Sequence, residues 1–287
     1  MFRSGWQPAL LLAPALLLLA LLTLYPIAYS FVLAFTDAEY QSDALTFVGW
    51  ANFNTLLNDW FFQQATWNTV RFTVSASVVQ VGLGLVLALL FARPFPGRQW
   101  LLPLFIYPMM LSTLVCASIW KAWMHYDFGW LNNLFDAVGL SRQPWLSDPA
   151  LALWSIVLVD TWQWTPMAFL ILLAGLQGIP QDIEEAATLE GATPWQQFWH
   201  IRLPLLRPYL FLALLLRSID TFKLFDKVYV LTGGGPAFAT ETLSLMAYKQ
   251  GFKFFNLGAA SAIAVIMLVI ALVLSLAYAW QVMRRPT

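Results

Sequence analysis

Two groups of residues in this chain could do chemistry, and both interrupt long apolar runs. The first lies within Asp160–Trp164, where a carboxylate (Asp160), an amide (Gln163) and two indoles (Trp162, Trp164) crowd together. Aromatic faces cover C–H surfaces while amides and carboxylates bond hydroxyls, so this mixture suits a sugar or polyol. Tryptophan in a membrane helix also packs or anchors without touching a solute. Trp162 and Trp164 are two residues apart and point in different directions on a helix, so at most one faces a given path. The second group is Arg217, Asp220, Lys223, Asp226 and Lys227. Steps of three and four residues with alternating sign predict one charged helix face. A charge at membrane depth costs at least about 2.5–3.5 kcal/mol. Such a stripe either neutralises itself inside a bundle or lines a watery path. We expect a mixed role, with Arg217 and Asp220 nearest mid-depth and Lys223 to Lys227 near an outer mouth.

The composition says what must position these groups. The 287 residues are 60% hydrophobic and 10% charged, with no formal net charge. Soluble domains carry about 25% charged residues, so the reading is an all-α, polytopic membrane protein. The 15 tryptophans fit anchoring at two interfaces. A balanced charge argues against nucleic acid as a partner. Cys116 stands alone in an apolar run and reads as a small buried hydrophobe. His125 and His200 lie far apart, with no neighbours at ligand spacing, which argues against a metal site. Gly233-Gly234-Gly235 lacks the Gly-Lys-Ser/Thr ending of a phosphate-binding loop and reads as a flexible connector.

Six apolar stretches are long enough to cross about 30 Å of hydrocarbon: about 9–35, 72–92, 101–120, 151–175, 205–225 and 257–280. Gly82 and Gly84 in the second, and Gly258 to Ala262 in the sixth, offer close helix contact. The polar segment from Thr36 to Val70 holds Asp37, Glu39, Asp43 and Asp59 without a Lys or Arg, and reads as an outer loop. The turn from Arg93 to Arg98 is short and basic, and reads as cytoplasmic. With Arg3, Arg284 and Arg285, this density of basic residues puts both termini inside.

The remaining polar interruption, about 180–204, falls on that same cytoplasmic side. Pro180, Glu184 and Glu185 suit the start of a helix. Gly191 suits the left-handed residue that stops it. Thr193-Pro194-Trp195-Gln196 forms a capping box that starts another helix. An amphipathic helix lying on headgroups is the plainer alternative, but leading acids and flat alanines suit lipid poorly. Glu185-Ala186-Ala187, then Gly191 after three residues, then Ile201, Leu203 and Pro204 after nine more, form a long gapped pattern. It resembles the EAA loop of binding-protein-dependent ABC importer permeases. Tyr25-Pro26, Asn52-Phe53 and Val230 to Pro236 extend the resemblance to carbohydrate-uptake permeases of the MalF, glycerol-3-phosphate, trehalose and polyol group. Relative to MalF the chain is shorter, without extra amino-terminal spans or a large outer domain. Glu190 stands where relatives often have Asp.

The resemblance implies the type I importer permease fold (MalF/MetI-like) of six spans as a single domain in a bacterial inner membrane. It implies a second homologous permease subunit, two cytosolic ATPase subunits that hold ATP and Mg, and an extracytoplasmic solute-binding protein. This chain would carry no cofactor and catalyse no reaction itself. Glu185 to Gly191 would form the coupling helix seated in an ATPase groove, with Glu185 making the polar contact and Leu203-Pro204 the rigid link to the next span. The competing class is a stand-alone secondary transporter or channel, for which Asp160 and Asp220 could serve as coupling-ion sites.

Overall fold

The computed structural model describes residues 7–40 and 45–283. Arg3, Asp43, Arg284 and Arg285, which entered the charge argument, lie outside those residues. Helices make the fold: α1 (Gln7–Ala34), α2 (Ala51–Asn58), α3 (Trp60–Ala92), α4 (Arg98–Met110), α5 (Thr113–Trp123), α6 (Trp130–Ala137) and α7 (Ala152–Gln177). They continue with α8 (Gln181–Leu189), α9 (Pro194–Gln197), a π-turn at Phe198–Arg202, and α10 (Leu203–Phe222). The last are α11 (Asp226–Leu231), α12 (Leu243–Tyr248), a second π-turn at Lys249–Lys253, and α13 (Leu257–Met283). Among the described residues the only β pairings are two isolated bridges. The chain divides into two compact units, Met1–Phe62 with Met246–Val269, and Gln63–Leu245 with Ile270–Thr287. Every candidate site residue belongs to the second unit.

Among the described residues five helices are long and apolar enough to span a bilayer, and the bent pair α4–α5 makes six when counted as one span. Helix boundaries differ from the expected spans in three places, each for a physical reason. The helix that holds the second span begins at Trp60, ahead of the expected span start at Phe72, so much of the expected outer loop is helical. Asp59 accepts a hydrogen bond from the Phe61 amide at the helix start, and polar residues of the first turns find tertiary partners. Asn68, for example, donates to the carbonyls of Phe238 and Glu241. Hydropathy marked only where the apolar run began.

The third span is not one straight helix. α4 and α5 meet at 98° around Leu111 and Ser112. Pro108 removes an amide near the end of α4, and the Leu111 carbonyl left at the break accepts from Gln163 Nε2 at 2.9 Å. The fifth span stops at Phe222, three residues short of the expected end. Leu224 and Phe225 break the helix, with the Leu224 carbonyl accepting from Thr242 Oγ1. The charged stripe is therefore cut in two: Arg217 and Asp220 ride α10, Lys223 caps it, and Asp226 and Lys227 open α11. The glycine segment that follows is a tied turn, not a flexible connector. Thr240 Oγ1 donates to the Gly235 carbonyl at 2.7 Å and pairs with Thr232 Oγ1 at the same distance.

The core of the second unit lies where α3, α7 and α10 meet. Val81, Ala88 and Phe91 pack against Ala168, Phe169, Leu172 and Leu206, all below a tenth exposed. Gly84 makes that approach possible. A Cβ there would stand 2.9 Å from both Ala168 Cβ and the Phe169 amide nitrogen. Gly82 faces open space and contributes no such contact.

Candidate functional site

α7 brings Asp160 into the middle of a buried ion cluster. Its side chain is 2% exposed, and an isolated carboxylate in that position would be strongly disfavoured. Three partners from three other helices offset the burial. Gln80 on α3 donates to Asp160 Oδ2 at 2.7 Å, and Arg217 Nη2 on α10 reaches the same oxygen at 3.3 Å. The Lys227 ammonium on α11 pairs with Oδ1. Gln80 Oε1 in turn accepts from Arg217 Nε at 2.6 Å, closing the network. Both oxygens of Asp160 are thus occupied, and two buried cations share one buried carboxylate. The second carboxylate within reach is Asp220, half-exposed, at 3.5 Å from Arg217 and 4.0 Å from Lys223.

Beside this cluster is a cavity of about 210 Å³ whose lining includes Asp160, Trp164, Arg217, Asp220, Lys223, Asp226 and Lys227. Trp164, one turn beyond Asp160, offers its ring to the Arg217 guanidinium at 5.1 Å, a cation–π contact. A space lined by an indole face, carboxylates and cations can bond hydroxyls and cover a sugar ring. Trp162 lies elsewhere. It meets Trp120 edge-on and lines a separate apolar cavity with Pro108 and Phe169. Gln163 is committed to the Leu111 carbonyl. Of the four α7 residues singled out, Asp160 and Trp164 face the charged cavity, and Trp162 and Gln163 do not.

The sequence reading missed Gln80 and did not foresee the burial of Lys227. Gln80 is fully buried, and its one signal was an amide alone in the apolar run of the second span. The charge stripe gave Lys227 its place in the group but not its burial, which is complete. The break after Phe222 redirects its side chain inward, and helical spacing carries no information across such a break.

A second arrangement is built at α8. No residue of this helix is buried, and Asp182 and Glu184 occupy its first turn, where the helix dipole favours acids. Glu185 is exposed and accepts from Gln181, at 2.6 Å. Ala186 is exposed beside it, Ala187 half-buried, and Leu189 is 89% exposed. Gly191 turns the chain with φ of 81°. Left-handed backbone is open to glycine at little cost, and here it lets the Ala192 amide reach the Ala187 carbonyl at 2.9 Å. The expected capping box is present at Thr193 and Gln196. The π-turn that follows was not foreseen. Ile201 lies in it, while Leu203 and Pro204 form the first turn of α10, all three half-buried.

Residues 80–285 match the protein family described as "Binding-protein-dependent transport system inner membrane component". The chain is 36% identical over 280 residues to the trehalose/maltose transport system permease protein MalF of Thermococcus litoralis, covering 96% of this chain and 94% of that one. It is 35% identical over 278 residues to the sulfoquinovosyl glycerol transport system permease protein SmoG of Agrobacterium fabrum, covering 94% and 88%. Among solved structures, a bacterial ABC transporter involved in the import of the acidic polysaccharide alginate shares the fold. The TM-score is 0.86 at 22% identity, over 98% of this chain and 96% of that one.

Proposed function

The chain belongs to the family of binding-protein-dependent transport system inner membrane components, and on that premise we propose that it is one permease subunit of an ATP-driven importer for a sugar or polyol. It forms half of the path, beside a second permease, and takes its work from two cytosolic ATPases that hold ATP and Mg. An extracytoplasmic binding protein delivers the solute. Two relatives named for sugar-type cargo over nearly their whole length support the solute class, as does the indole-and-carboxylate lining of the charged cavity.

The observation that carries the docking role is α8 itself. It is an acid-led helix without a buried residue, with Glu185, Ala186 and Leu189 exposed and a glycine turn at its end. Lipid headgroups are a poor match for such a face, whereas a groove on a soluble subunit is a good one. A coupling-ion mechanism is less well supported, because both oxygens of Asp160 are already taken by Gln80, Arg217 and Lys227.

Co-purification from the membrane tests the reading. The wild-type chain should bring down an ATPase whose turnover depends on it. Glu185→Lys, which reverses charge on an exposed residue, should lower that capture at least tenfold with membrane insertion unchanged. Full capture by the variant would remove α8 from the interface.

A further inference from the structure

We infer that Glu184 and Arg202 form a positioning staple that makes α8 and α10 move as one body, an inference that rests on the docking role proposed for α8. The backbone between these helices is poorly suited to transmit a push. It turns at Gly191, then passes through the π-turn at Phe198–Arg202. A π-turn is a rare local irregularity in a helix, and Pro208, with no amide to donate, weakens the α10 ladder further on. Neither Leu203 nor Pro204 bridges the gap, since both lie beyond the π-turn in the first turn of α10.

Side chains cross where the backbone is weak. Arg202 Nε donates to Glu184 Oε1 at 2.7 Å and Nη2 to Oε2 at 3.1 Å, a fork-on-fork contact that fixes angle as well as distance. The side chains are 17% and 35% exposed, so water screens the pair only in part. A second stitch ties α8 to α9, ahead of the π-turn. Gln197, 7% exposed, donates from Nε2 to Thr188 Oγ1 and to the Ala192 carbonyl, each at 3.1 Å. Glu184 and Thr188 are four residues apart and share one face of α8, while Glu185 and Leu189 point away from it. One face of the helix is therefore pinned by Gln197 to α9 and by Arg202 to the residue that leads into α10, and the other is left for a partner. Displacement of α8 then passes through Arg202 to the helix that carries Arg217.

The test uses the whole chain in nanodiscs with spin labels at Leu189→Cys on α8 and Leu212→Cys on α10, both exposed positions. Glu184→Gln should at least double the width of the distance distribution. The exchanged pair Glu184→Arg with Arg202→Glu should restore it, which a variant damaged only in folding would not do. Equal widths for wild type and Glu184→Gln, or no recovery in the exchanged pair, overturn the staple. A second label pair, Trp154→Cys on α7 and Leu212→Cys, is read in the complex with the ATPase after Mg-ATP and vanadate. Glu184→Gln should keep ATP hydrolysis within twofold of wild type and lose more than half of the nucleotide-driven shift at α10; an unchanged shift overturns the inference. The first measurement needs no ATPase, so failure of the docking role and failure of the staple are told apart.

Discussion

At the scale of single residues, Asp160 is a buried carboxylate on which partners from three helices converge. It binds groups from α3, α10 and α11, so replacing it with Asn leaves Arg217 and Lys227 buried with a neutral neighbour. Removing one partner of a buried ion pair costs about 3–5 kcal/mol, and Asp160→Asn should lose stability of that order in denaturant titrations of the purified protein. Adding Lys227→Met should recover part of the loss, because one unmatched cation is removed. Asp220 behaves differently. It is half-exposed on the cavity wall, where solvent already shares its charge. Asp220→Asn should change the KM or rate of solute uptake while stability and ATPase association stay at wild-type levels. Unaltered uptake kinetics would take Asp220 out of the proposed path.

At the scale of elements, the turn from α8 to α9 was the most legible part of the chain. Gly191, the Thr193 capping box and the acidic start of α8 follow local rules, and the structure keeps all three. Local rules also make the turn testable. A β-branched residue at φ of 81° costs about 1–2 kcal/mol or more, and no neighbouring atom lies within 4 Å of a Cβ there to add a clash. Gly191→Val should thus leave the protein inserted and folded but misdirect α8, and uptake should fall at least tenfold in a whole-cell assay. Normal uptake would show that the direction of the turn is immaterial. What the sequence could not reveal was where apolar runs break. The right angle at Leu111 depends on Gln163, 52 residues away, supplying a donor for the stranded carbonyl. The end of α10 depends on Thr242 doing the same for Leu224. Both partners are tertiary, and neither leaves a mark in a hydropathy profile.

At the scale of the whole molecule, the long apolar helices were readable because length and apolarity suffice to find them. The charged cavity was half readable, for a related reason. Asp160, Trp164, Arg217 and Asp220 announce themselves as polar groups in apolar company. Lys227 does so too, although its burial was not legible, and Gln80 joins them only through the packing of α3, α7, α10 and α11 around one point. The exterior has a reading of its own. In the helical stretch from Pro194 to Phe222 only 11% of the apolar window is buried, against 67% in α7. On the proposed function, part of that uncovered surface meets the second permease, and the purified particle should weigh as two permeases plus two ATPases by mass photometry. A particle holding a single permease would refute the paired architecture. Screening the binding protein by thermal shift against trehalose, maltose and simple polyols would then identify the cargo.

The hydrogen bond from Gln163 to Leu111 ties the elbow of the third span to the same helix that holds Asp160, less than one turn away. If α7 twists about its long axis far enough to release Arg217 and Lys227, it also pulls on the carbonyl at the bend. Cargo chemistry and the opening angle of that hinge would then be geared together, and loosening the amide at Gln163 would let one turn without the other.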